Sequence, residues 1–158
     1  MKASEFKSYL FMLFQAGVEN LCRDGDLVPV LFFFKEGAVV PVFMPFSSRE
    51  GKDSAFEAAN FVLKRCQPEA AFFISTAWMT EVLPGRDPRL EPPPSDHPGR
   101  TEIIVAVGAS EGLQSGLIGR VKREGEKIEV LPKECPGGET MCRIFDGVFL
   151  PGGQAASA

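Results

Sequence analysis

Two apolar segments, AAFFISTAWM at positions 70–79 and TEIIVAVGA at positions 101–109, decide the fold of this chain. Their centres do not alternate between apolar and polar residues, and strands that are apolar on both sides lie in a sheet covered on both faces. A charged, proline-rich loop joins them and contains the only histidine, His97. Because loops carried by a rigid sheet often hold function, we expect a functional site there.

The flanking sequence predicts two helices. Apolar residues recur at helical spacing over residues 4–21, and Gly25 can take the left-handed conformation that ends a helix. Ser54-Ala55-Phe56-Glu57 is typical of a capping box at the start of a second helix, and Pro68 ends that helix.

Further strands are predicted on both sides of the central pair. The first two flank Glu36-Gly37, which is typical of a hairpin, and Pro41 and Pro45 place the second of them at a sheet edge. A C-terminal hairpin turns at Gly125. The segments are 27–35, 38–46, 117–123 and 127–131, with 141–150 as a candidate further strand.

These elements predict an α+β protein, a two-layer or three-layer α/β arrangement in the order α-β-β-α-β-β-β, with a mostly antiparallel sheet of five to six strands. We expect residues 1–150 to form one domain and residues 151–158, which have nothing to pack against, to form a flexible tail. Either the two helices sandwich the sheet or a second subunit completes one face. Phe11 and Met12 widen the apolar arc of the first helix, which makes them candidate interface residues of a homodimer.

Composition and charge exclude several classes of protein. A net charge of −4 and a pI near 5.1 argue against nucleic-acid binding, and the cations at 120, 122 and 123 are typical of a solvated strand. No stretch reaches the roughly 18 apolar residues of a membrane span. The N-terminal segment is interpreted as a helix of the mature protein rather than a signal peptide, so we expect a cytoplasmic location.

Motifs for cofactors and covalent catalysis are weak, and we expect no cofactor and no metal. Cys135 and Cys142 are spaced C-x6-C, unlike the pairs of zinc knuckles, and Cys22 and Cys66 fall near helix ends. The glycines between positions 108 and 112 lack both the Walker A lysine and the dinucleotide-binding spacing. No serine lies in a nucleophile elbow.

The central loop supplies the candidate pocket, which consists of Trp78, His97, Arg100 and Glu102. His97 beside Asp96 could act as a general base with an orienting carboxylate, but a histidine in such a loop is more commonly just exposed. Arg100 and Glu102 are two residues apart, so they lie on one face of a strand. They could line a polar pocket beside Trp78, or form an ion pair that fixes the strand end.

Ala77-Trp78-Met79, the loop over residues 92–98 and the Arg100-Thr101-Glu102 strand start resemble a family of small uncharacterised prokaryotic and phage proteins. Thr76 stands where that family has an acidic residue. The element order over residues 4–131 also resembles roadblock and profilin-like domains, which implies a five-stranded antiparallel sheet flanked by helices. Neither resemblance implies an activity.

We therefore expect a non-catalytic protein-interaction domain that acts as a homo-oligomer or binds another protein. The phenylalanine excess, fourteen against one tyrosine, supports this interpretation, because these rings bring apolar area without a polar group. The alternative is a small ligand-binding or hydrolase-like site around the four candidate pocket residues. A redox or metal role of the cysteines ranks third.

Overall fold

The computed structural model describes residues 1–80, 84–134 and 142–149. Within these residues, two α-helices and six strands confirm the predicted fold class, with one strand more than the predicted order. The sheet is antiparallel throughout, in the order β2-β1-β3-β4-β5-β6. The elements are α1 (Ala3–Asp24), β1 (Val30–Lys35), β2 (Ala38–Phe43), α2 (Arg49–Cys66), β3 (Ala70–Met79), β4 (Thr101–Ser110), β5 (Leu113–Glu124) and β6 (Lys127–Glu134).

The two helices lie on opposite faces of the sheet, so the arrangement has three layers. One cluster of buried residues joins α1 to the sheet through Phe6, Leu10 and Phe14, and a second joins α2 through Ala59 and Leu63. Alternate residues of β3 and β4 point into the two clusters, which explains why neither strand shows apolar–polar alternation. Of the two arrangements left open by the sequence, the helices themselves sandwich the central strands.

Both edge strands carry a proline where it breaks no ladder hydrogen bond. Met44 donates to the carbonyl of Pro29, which fixes the odd-numbered residues of β1 as the ones that exchange hydrogen bonds with β2. Pro41 is opposite Phe32 and Pro132 is opposite Gly119, at positions whose nitrogen points away from the sheet. The prediction of β2 as an edge strand is confirmed, and both edges lack a donor that a further strand would need.

Two element predictions are wrong. The second helix begins at Arg49 rather than near Ser54, because the Ser48 side chain accepts a hydrogen bond from the Gly51 amide at 3.0 Å and caps the helix earlier.

Residues 142–149 form no strand but a short 3-10 turn over Arg143–Phe145. The Asn60 side chain on α2 donates to the carbonyls of Ile144 and Asp146, both at 2.9 Å, so these groups need no ladder partner. The predicted tail 151–158 and Cys135 lie outside the described residues.

Glycines in β4 and β5 make room for the aromatic rings under α1. A Cβ on Gly108 would lie 2.6 Å from the Phe72 ring and 2.9 Å from Phe6. A Cβ on Gly119 would lie 3.0 Å from the Phe14 ring. The rings of Phe6 and Phe72 are in contact, with centroids 5.0 Å apart. The missing side chains therefore let α1 lie close to the sheet.

We predict that Gly108→Ala destabilises the protein by about 1–3 kcal/mol, because rigid buried rings cannot move away from the new methyl group. Backbone entropy alone would make the alanine variant more stable than the wild type, since glycine in a strand is less favourable than alanine by roughly 0.5–1 kcal/mol. Urea unfolding measures the difference. Combining it with Phe72→Leu should destabilise less than the sum of the two single changes. A Gly108→Ala variant as stable as the wild type contradicts the packing.

Candidate functional site

Trp78 and Arg100 form a stacked pair at the base of the central loop, since Trp78 lies just before the loop and Arg100 at its end. Trp78 is opposite Glu102 in the β3–β4 register, and the Arg100 guanidinium lies 4.4 Å from the centre of the indole ring. The same guanidinium donates to the carbonyl of Ser95 and ties the loop to the stack. A cation over an indole face is stabilising, so this contact orders the base of the loop.

Glu102 does not pair with Arg100, and this prediction is wrong. The Glu102 carboxylate instead accepts two hydrogen bonds from Arg123 on β5, at 2.7 and 2.8 Å. Arg123 also donates to the carbonyl of Gly25 at 3.0 Å, just past the end of α1. The hydrogen bond to Glu102 is the main reason that the pKa of Arg123 is raised. Arg123 is thus more than a solvated cation, because it joins α1 to β4 and β5.

His97 is held by the loop rather than by Asp96. Its Nδ1 accepts from the Gly99 amide at 3.0 Å, and its Nε2 lies 3.7 Å from a carboxylate oxygen of Glu91. The Asp96 carboxylate accepts from the Ser95 hydroxyl at 3.5 Å. His97 therefore lies in a loop-stabilising network, and the described side chains show no Asp96–His97 hydrogen bond of the general-base alternative.

A cleft of about 530 Å³ lies beside Trp78 and Glu102, while neither His97 nor Arg100 lines it. One part of its wall is apolar, formed by Phe46, Trp78, Pro93 and Pro94. The other part is cationic and includes Arg49, Lys52 and Arg143. The structure thus brings two of the four predicted pocket residues to the cleft.

Sequence reasoning missed the three cations of this wall. Arg49 and Lys52 lie three residues apart on the first turns of α2, so they point to the same side. The helix start expected at Ser54 left both outside the helix. Ser47-Ser48 immediately before Arg49 was the available signal, since serine is a preferred N-cap.

The described cysteines and acidic residues form no metal site. Within residues 1–80, 84–134 and 142–149, no three histidine, cysteine, aspartate or glutamate side chains gather closely enough to hold an ion. Cys22, Cys66 and Cys142 are free thiols. Burial raises the pKa of the Cys142 thiol, which lowers its thiolate fraction.

Comparison with known proteins gives no assignment, since no protein-family model, curated protein or solved structure matches the chain. In the part of the chain that the structure describes, no helix is long and apolar enough to cross a membrane. The function is therefore inferred from the geometry of this molecule.

A double-mutant cycle tests the ion pair. We predict a coupling of about 1 kcal/mol between Glu102→Gln and Arg123→Met in urea unfolding, because the pair is bidentate but Arg123 is partly solvated. The matched cycle of Glu102→Gln with Arg100→Met should show no coupling. Stronger coupling to Arg100 than to Arg123 is incompatible with the observed contacts.

Proposed function

We propose that this protein is a non-catalytic interaction domain that self-associates through one uncovered face of its sheet. We name as the open face the α1-side residues of β1 and β2, which α1 leaves largely uncovered because it lies over β3 to β6. Phe32 and Phe34 are half-buried there, and the β2 residues are exposed. The open face consists of Phe32, Phe34, Val39, Pro41 and Phe43.

The outer side of α1 extends this apolar surface. The Tyr9 ring packs on Phe34 with centroids 4.8 Å apart, and Met12 lines a shallow depression together with Tyr9. Phe11 is as exposed as Met12, at 57% against 58%. Phe11 follows Tyr9 by two residues, which is about 160° around the helix, so it points to the flank opposite Tyr9. Met12 therefore borders the open face, and Phe11 extends the proposed interface across α1.

The proposed contact is between faces rather than between strand edges. Pro41 in β2 and Pro132 in β6 remove an outward-pointing donor from each edge, which disfavours a continuous sheet across two copies. Contact through an apolar sheet face does not need backbone donors at a strand edge. Contiguous apolar patches of this kind commonly mark protein contacts. This open face is the single observation on which the proposal rests.

A hydrolase-like reaction has less support from the candidate residues. Arg100 is stacked on Trp78, and the Glu102 carboxylate already accepts two hydrogen bonds from Arg123. Among the described contacts, His97 has no serine or cysteine partner that it could activate. Binding without covalent chemistry fits these contacts better.

We predict that Phe43→Lys and Met12→Lys give folded monomers, because a charge at an interface core is strongly disfavoured. Phe11→Glu should weaken association less, since that ring lies on the far flank of α1. Sedimentation velocity across a concentration series measures the mass of each variant.

Phe61→Lys is the matched control for Phe43→Lys. Phe61 is 61% exposed against 66% for Phe43, but it lies on α2, across the sheet from the open face. The control variant should retain the wild-type mass. A wild type that sediments as a monomer at every concentration refutes self-association, and loss of association in the Phe61→Lys control refutes the assigned face.

A further inference from the structure

In the part of the chain that the structure describes, one interior strand of the sheet lacks a neighbour over half its length. β3 pairs with β4 over all of residues 70–79, but with β1 only over residues 70–74. Within the described residues, the last five residues of β3, Ser75–Met79, therefore have a strand on one side only. We name this gap beside them the notch.

The strand register identifies which backbone groups of β3 face the notch. The even-numbered residues of β1 face β3, where Val30 is opposite Ile74. Thr76 and Trp78 continue the same alternation, so their amide and carbonyl groups point into the notch. Ala77, between them, points to its β4 partner Ile103. Among the described residues, neither Thr76 nor Trp78 has a backbone–backbone hydrogen bond on the notch side. One side-chain bond occurs there, because Ser75 Oγ donates to the Thr76 carbonyl at 2.8 Å.

The notch opens into a continuous groove. A depression of about 540 Å³ between the chain before β1 and residues Ser75 and Thr76 adjoins the cleft beside Trp78. The two share Phe46, Ser47, Ser48 and Thr76 in their walls. The combined groove therefore follows the unpaired edge of β3, and an extended segment of chain matches that shape.

The charges along the groove indicate which kind of peptide segment it favours. The two described carboxylates that line the cleft each have an arginine partner, since Asp53 pairs with Arg143 at 2.6 Å and Glu102 with Arg123 at 2.7 Å. Within the described residues, Arg49 and Lys52 have no ion-pair partner. The uncompensated charge of the described wall residues is positive, although the whole chain carries −4.

We propose that the notch binds an extended acidic peptide segment of another protein, which adds to β3 as a short extra strand. Backbone hydrogen bonds to Thr76 and Trp78 supply the affinity, and alternate side chains supply the specificity. Because strand side chains alternate between two faces, acidic residues can face Arg49 and Lys52 while apolar residues between them contact Trp78. This binding is separate from the open face and does not require self-association.

The test uses an N-terminally fluorescein-labelled peptide, Val-Glu-Val-Glu-Val-Glu-Val-amide, with fluorescence anisotropy as the readout. We expect saturable binding that weakens as salt rises, because the charges are partly exposed. Lys52→Glu should weaken binding by about tenfold or more, since it places like charges together. Lys64→Glu on the same helix, away from the cleft, is the matched control and should bind like the wild type. The peptide with lysine in place of glutamate should not bind.

Two changes separate strand addition from simple charge attraction. Thr76→Pro removes one notch-facing donor without breaking a β3–β4 hydrogen bond, whereas Thr76→Val keeps the donor. We expect Thr76→Pro to abolish binding and Thr76→Val to retain it, with circular dichroism verifying that both fold. The acidic peptide with every backbone amide N-methylated tests the same point without altering the protein. It keeps the charges, loses its donors and should not bind.

Several outcomes overturn the proposal. Absence of saturable binding to the acidic peptide removes it, as does equal binding of the lysine peptide. Binding that survives full N-methylation shows attraction by charge alone and rules out an added strand. Loss of self-association leaves these measurements unaffected, so the two proposals fail separately.

Discussion

Close packing of aromatic rings against glycines in the sheet holds α1 in place. Phe6 and Phe72 lie where a side chain on Gly108 would have to be, and Phe14 occupies the corresponding space above Gly119. Gly17 allows the same close approach on the helix side, since a Cβ there would lie 2.2 Å from the Ile74 side chain. Such interiors tolerate little added volume, so these contacts fix both the height and the lateral position of the helix.

The position of α1 determines what the sheet leaves available. With α1 centred on β3 to β6, the α1 side of β1 and β2 forms the open face. Arg123 strengthens this placement, because it joins Glu102 to the carbonyl at the end of α1. The notch, which is the second proposed binding surface, exists because β1 is short and its pairing with β3 ends at Val30 and Ile74. Both proposed binding surfaces thus follow from how this core is packed.

Much of the fold could be predicted from the sequence because local signals agree with the tertiary structure. The turns at Glu36-Gly37 and Gly125 have the positive φ values that hairpin glycines permit, and β3 has the predicted bounds. The helix α2 begins before the predicted start at Ser54 because the Ser48 side chain accepts a hydrogen bond from the Gly51 amide and caps the helix there, which places Ser54 inside the helix. The strand expected at 141–150 failed because Asn60, far away in sequence, satisfies its carbonyls.

The candidate site was harder to predict, since its contacts join residues that are distant along the chain. Sequence proximity suggested the pair Arg100–Glu102, but the β4–β5 register brings Arg123 to Glu102 from 21 residues away. Likewise, no local pattern shows that β1 ends opposite Ile74 and leaves Thr76 and Trp78 unpaired. The cations of the cleft come from α2 and from residue 143, which meet only in the folded protein.

Amide hydrogen exchange in the free protein, measured residue by residue by NMR, tests whether β3 is unpaired at the notch. An open notch predicts alternation along the end of β3: fast exchange at Thr76 and Trp78, and slow exchange at Ile74 and Ala77. Protection of Thr76 and Trp78 equal to that of Ala77 would show that this edge is already paired and that the notch does not exist.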